Sequence, residues 1–213
     1  MTKKTLCFII AGIGACSMLR AAVTLNQLET FDGVHGWTSG AANPIPPAIL
    51  LDSGPLGAGD NSLIIKANGG TGAGGRLFAF NQSVWTGDYL AQGIVSIAAD
   101  LRNQGSTGLS IRLAFNGPGG WFVTAVAPIA QFSGWSATVF DIRPASLTSA
   151  GGTDASDTMA GVSEMRILHS SLVDFKGAIV SSSFLVDNLH AVPEPASIAL
   201  ASLAGIFLLI RKR

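Results

Sequence analysis

A period-two alternation recurs along the middle of this chain and constrains its fold more than any other feature. In "GLSIRLAF" Leu109, Ile111, Leu113 and Phe115 face one way, and Ser110, Arg112 and Ala114 the other. Successive side chains of an extended strand point to opposite faces, so this spacing predicts a half-buried antiparallel strand. The pattern returns in "SLIIKA" (62–67), "RLFAF" (76–80), "GIVSIAADLR" (93–102), "WFVTAV" (121–126), "WSATVFDI" (135–142), "EMRILH" (164–169) and "SSFLVDNL" (182–189). Glycine-rich turns separate these runs: "NGGTGAGG" (68–75), "NQGSTG" (103–108) and "NGPGG" (116–120). No stretch between them carries a convincing amphipathic helical period. About eight or nine strands spaced this way predict an all-β fold, an antiparallel β-sandwich of jelly-roll topology, with a β-barrel as second choice.

Charge separates the ends from the middle. Lys3, Lys4 and Arg20 lie at one end, and Arg211, Lys212 and Arg213 at the other. The remaining seven Lys and Arg stand against all thirteen Asp and Glu. A nucleic-acid binder needs a basic face to displace counterions, so that class is excluded. An acidic middle leaves room for divalent cations. Both cysteines, Cys7 and Cys16, lie within the first 20 residues, so a chain lacking that segment has neither disulfide nor thiol chemistry.

Residues 1–22 read as a secretory signal peptide, to be removed by signal peptidase. Lys3 and Lys4 form its positive end, and 6–19 its apolar run, short for a membrane span. Three endings stay open: cleavage after Ala21 or Ala22, cleavage after Ser17, or a lipoprotein-type signal at "IGAC" with Cys16 acylated. The domain then occupies 23–191. The tail, 192–213, reads "VPEPASIALASLAGIFLLIRKR". Pro193-Glu194-Pro195 should end any ladder, because proline lacks the N–H donor. The uncharged run 196–210 spans roughly 22 Å as a helix at ~1.5 Å per residue, against a hydrocarbon core of ~30 Å. Arg211, Lys212 and Arg213 can snorkel to the head groups and stay cytoplasmic, which leaves the domain outside. The expected chain is thus a sandwich flanked by a signal helix and a short hydrophobic transmembrane helix.

The order Pro193-Glu194-Pro195, apolar helix, basic cluster resembles the PEP-CTERM sorting signal of Gram-negative bacteria. That resemblance implies export, an inner-membrane intermediate, processing by an exosortase, and a final place at the cell surface or in extracellular matrix. Such genes commonly accompany exopolysaccharide production. The middle is similar to the galactose-binding-like jelly rolls used as carbohydrate-binding modules. Its opening, "LETFDGVHGWTSG" (28–40), and its closing strand, "FLVDNL" (184–189), carry the likeness. In many members of that class a structural calcium sits between the two ends, which implies Glu29, Asp32 and Asp187 as candidate side-chain ligands here. Turn carboxylates that cap backbone N–H groups are the equal alternative. Nothing else in the pattern requires a cofactor.

Catalytic signatures are missing. "GTGAGG" (70–75) fits a phosphate-cradling loop, but "RLFAF" follows it where a helix is needed. There is no nucleophile elbow and no zinc spacing, and His35, His169 and His190 are scattered. No acid and nucleophile pair of carboxylates can be picked out. "DASD" (154–157) reads as a solvated turn before it reads as a calcium loop. Trp37 and Trp135 read as core. Trp85 and Trp121 sit beside loops, where an aromatic platform for sugar could form with Tyr89, Asp88 and Arg76 as polar neighbours. The expected function is a non-catalytic, exported sandwich associated with polysaccharide or biofilm matrix. A secreted glycan hydrolase or lyase, and a self-associating matrix protein, are the alternatives.

Overall fold

The computed structural model describes residues 22–194. Segment 1–21 and residues 195–213, with Pro195, Arg211, Lys212 and Arg213, lie outside the described residues, as do both expected flanking helices. In chain order the strands are β1 (Leu28–Glu29), β2 (Trp37–Thr38), β3 (Ala48–Leu50), β4 (Ser62–Asn68), β5 (Phe78–Asn81), β6 (Ile94–Asn103), β7 (Leu109–Gly117), β8 (Gly120–Val123), β9 (Ala127–Ile129), β10 (Ser136–Asp141), β11 (Thr148–Ser149), β12 (Glu164–His169) and β13 (Ser181–Pro193). A 3-10 turn (Pro144–Ser146) follows β10, and a short α-helix, α1 (Ala155–Ala160), lies between β11 and β12.

The strands pair antiparallel in two sheets. The first runs β10-β6-β13-β4-β3, with β1 beside β13; the second runs β11-β8-β7-β12-β5-β2, with β9 beside β7. Alternation turns Leu63 and Ile65 of β4, Ile97 and Leu101 of β6, and Phe184 and Val186 of β13 toward Ile111, Leu113 and Phe115 of β7 and Met165 and Ile167 of β12, in one cluster. Each such side chain stabilises the fold by ~1.5–3 kcal/mol when fully buried. The antiparallel sandwich expected from the alternation is therefore the fold observed. The two- and three-residue strands are too short to show a period, and the sequence pattern missed them.

Three details differ from the sequence reading. The outward side of β7 is not solvated: Ala114 is buried and Arg112 is 8% exposed. Ala114, Val123 and Leu168 form a second, smaller apolar cluster packed by Phe78, Trp121, Ala150 and Phe175. The cause is tertiary, since the segment that carries Phe175 folds back over this side of the sheet. The domain also runs past 191. Pro193 is buried and ends β13 opposite Ile94, so the expected boundary falls two residues short. A proline is tolerated there because it occupies the last strand position. Finally, "DASD" opens α1. Asp154 is its N-cap and accepts from the backbone N–H of Ser156 at 2.7 Å and of Asp157 at 3.1 Å.

Candidate functional site

The outward side of the second sheet gathers aromatic rings around one arginine. Register places Arg166 between Phe80 and Ala114, with Val123 beyond Ala114. Two residues along, Trp121 lies opposite Asn116 and so shares this side. The Arg166 guanidinium carbon lies 4.4 Å from the Trp121 ring centre, 5.4 Å from Phe78, 5.5 Å from Phe175 and 5.8 Å from Phe80. A cation within ~6 Å of an aromatic centroid is attracted by the ring quadrupole. Arg166 also donates through Nε to Glu164, whose other oxygen accepts from Gln82 Nε2 at 2.7 Å. Trp121 stacks on Phe175 at 4.4 Å with 6° between the ring planes.

Phe175 belongs to a strap, residues 170–178, laid across this face. Three guanidinium groups hold its backbone. Arg112 Nε donates to the Ser170 carbonyl at 3.2 Å, Arg166 Nη1 to Phe175 at 3.0 Å, and Arg76 Nη1 to Gly177 at 2.6 Å. Desolvation lowers the Arg112 pKa from its ordinary value. Lys176 Nζ lies 5.6 Å from the Phe175 ring. The strap's tip presents Leu172 and Val173 to solvent.

Of the ligand residues read from sequence, Trp121 and Arg76 belong to this face, and the other three do not. Trp85 and Tyr89 have no exposed surface and cannot stack on a sugar. Their apolar rings close the core between β5 and β6; Tyr89 meets Phe115 edge-on at 5.6 Å. The Tyr89 hydroxyl donates to the Trp85 carbonyl at 3.0 Å, and burial pushes its pKa up. Asp88 caps a turn by accepting from the Ala91 N–H at 2.8 Å. The sequence reading missed Phe78, Phe80, Gln82, Arg112, Glu164, Arg166 and Phe175. Alternation could have found most of them: Arg76, Phe78 and Phe80 are the outward positions of "RLFAF", and Glu164 and Arg166 those of "EMRILH".

The calcium trio does not assemble. Among the described residues no group of three His, Cys, Asp or Glu side chains could hold a metal ion. Glu29 is spent on two buried indoles, whose Nε1–H groups, those of Trp37 at 3.0 Å and of Trp85, both donate to its Oε2. Asp32 accepts from Thr30 and Asn61. Asp187 is completely buried, and its Oδ2 has no partner. Burial, with the charges of Asp60, Asp100 and Asp32 around it, pushes its carboxyl up to about 7. That orphaned oxygen is the feature here that suits a cation.

Glu164 has a guanidinium and an amide as its partners, not a second carboxylate. His169 closes β12 and accepts through Nδ1 from the Ser110 N–H at 2.9 Å; burial lowers its pKa. The Trp135 indole, half-buried, donates to the Ser53 carbonyl. Of the sorting motif, Pro193 is buried in β13 and Glu194 is exposed. Among the described residues no helix is long and apolar enough to cross a membrane.

No protein-family model and no curated protein matches this sequence. Solved structures do resemble the fold. The family 11 carbohydrate-binding module from Clostridium thermocellum, in complex with a β-1,3-1,4-mixed-linked tetrasaccharide, aligns over 79% of this chain and 95% of its own, at 18% identity and a TM-score of 0.50. The family 11 module of the cellulosomal cellulase Lic26A-Cel5E of the same organism aligns over 80% of this chain and 95% of its own, at 16% identity and a TM-score of 0.48. At such identities the first likeness establishes a shared two-sheet sandwich, and nothing about ligands.

Proposed function

We propose that this chain is an exported, non-catalytic sandwich that binds polysaccharide through the outward side of its second sheet. One observation carries the reading: Trp121, Phe78, Phe80 and Phe175 gather around Arg166 on a sheet face, not in the core. Sugar rings present C–H bonds to aromatic faces, while guanidinium and amide donors fix their hydroxyls. Arg166, Gln82 and Arg76 supply such donors beside the rings. The likeness of fold to a module that holds a tetrasaccharide supports the reading. The missing catalytic signatures favour binding over hydrolysis.

The tail supplies the route. In this proposal the N-terminal signal exports the chain, and the Pro-Glu-Pro tail holds it transiently in the inner membrane. An exosortase then releases it to the cell surface or matrix of a Gram-negative bacterium. A calcium ion belongs to the proposal in reduced form: Asp187 would hold it, with Asp32, Asp60 and Asp100 as the surrounding charge, and it would neutralise a buried carboxylate.

Affinity electrophoresis of residues 22–194 on a panel of polysaccharides, including exopolysaccharide from the native host, tests the binding. Retention that Trp121→Ala weakens supports it. No retention on any polysaccharide by a protein with a cooperative melt refutes it.

A further inference from the structure

We infer that the glycan taken by this face is anionic, carrying carboxylate or sulfate groups. This rests on the binding reading above and names the class of its ligand. Charge is segregated on this molecule. Between residues 22 and 194 there are seven Lys and Arg against thirteen Asp and Glu, so the body is acidic. Four of the seven cations, Arg76, Arg112, Arg166 and Lys176, nevertheless collect on or under the strap side of one sheet. Glu164 lies on the same strand side and Asp174 on the strap.

The carboxylates are committed while the cations keep spare donors. Glu164 is held by Arg166 and Gln82, and Asp174 caps its own turn by accepting from the Lys176 N–H. A guanidinium offers five N–H donors in a planar fork that matches a carboxylate or sulfate. Arg76 is exposed and spends one nitrogen on Gly177; Arg166 spends Nε and Nη1, with its guanidinium carbon 4.4 Å from the Trp121 ring centre. Lys176 is exposed at the strap. Arg112 lies deeper and adds positive potential from behind. An acidic polymer would be repelled by most of this domain and drawn to this patch, so charge would also set its orientation.

A neutral polysaccharide would meet these guanidinium groups only as holders of the strap and as donors to its hydroxyls. It would find the aromatic faces and those donors, but gain nothing from the net charge of four cations placed together in an acidic body. An anionic one uses both, resting its ring against the half-buried Phe80 and the part of Trp121 that Phe175 leaves uncovered, and setting its acid group against Arg166 or Arg76. The charge-assisted bonds are the stronger part of such a contact.

Two matched pairs of polymers test the inference: polygalacturonate against its carboxyl-reduced form, and dextran sulfate against dextran. Retention of the domain is measured by affinity electrophoresis and titration calorimetry, with mixed-linked β-glucan as an unrelated neutral arm. Binding to either charged member over its neutral twin by at least ~10-fold supports the inference, and which pair responds identifies carboxylate or sulfate. Raising NaCl from 50 to 500 mM should weaken it by at least ~5-fold. Arg166→Gln should weaken it ~10-fold. The exposed pair Arg76→Gln with Lys176→Gln should do so while keeping the ion pair to Glu164, and Lys176→Gln alone, which leaves the Arg76 bond to the strap in place, should give part of the loss with an unchanged melt. Equal binding to charged and neutral twins, or binding to neutral glucan alone, overturns the anionic assignment and leaves carbohydrate binding standing. No binding to any of the five by a folded protein overturns the anionic assignment, and no binding to the host exopolysaccharide as well overturns both.

Discussion

Asp187 makes a pH dependence opposite in sign to that of ordinary carboxylates. Its carboxyl is completely buried on β13 and its Oδ2 lacks a partner. The folded-state pKa stands at about 7, against 3.8 for an unhindered aspartate. Below 3.8 the group is protonated in both states and stability is unaffected. Between 3.8 and about 7 the native state keeps a proton that the unfolded chain has lost, so stability falls as pH rises. Above 7 the loss is complete. At ~1.4 kcal/mol per pH unit the full effect is ~4 kcal/mol, of which ~2–3 kcal/mol develops between pH 5 and pH 8. Asp187→Asn keeps the shape and an acceptor for the Asn188 N–H while removing the ionisation. Melting of wild type and variant in a chelator at pH 5 and pH 8 reads the difference. At ~2–4 °C per kcal/mol for a domain this size, wild type should lose ~5–10 °C relative to the variant across that interval. Equal shifts of wild type and variant between the two pH values would show that Asp187 does not change its protonation on folding. In the same assay, calcium at pH 8 should raise the wild-type midpoint and not that of Asp187→Asn; no response from wild type removes calcium from the proposal.

Other parts of the structure make separate predictions. Glu29→Ala strands two buried indole donors at ~1–3 kcal/mol each, so the melting midpoint should fall by ~5–15 °C, and a shift under 2 °C would show that the Glu29 bridge contributes little. Asp154→Ala removes the N-cap of α1 and should cost ~1 kcal/mol, seen as a drop of ~2–4 °C in the midpoint, with glycan retention unchanged. Phe175→Ala uncovers the stacked face of Trp121, so tryptophan emission should shift to the red; an unchanged spectrum would mean that solvent does not reach the ring.

How much of this could be read from the chain varies by element. β12 has the bounds that its alternation predicts, and β4, β6 and β7 lie within one or two residues of theirs, because a strand buried on one side must alternate. Trp121 and Arg76 were legible as candidate site residues, since each stands where a turn meets a strand. Trp85 and Tyr89 stand in similar places and went to the core. Nothing local separates the two outcomes. What separates them is Glu29, 56 residues from Trp85, which accepts the indole proton and makes burial of that ring affordable.

The acidic, cysteine-free strand pattern of the middle and the makeup of the tail are properties of the sequence itself, because each depends on residues within a few positions of one another. The outward face of the second sheet was decided by the tertiary structure. Arg112 meets Ser170 across 58 residues, Gly177 meets Arg76 across 101, and Phe175 lands on Trp121 from a different loop. A period of two tells which side chains share a face. Only the folded chain decides whether that face meets water, a strap or a ligand, because contacts between distant segments are set by how the whole sheet is covered.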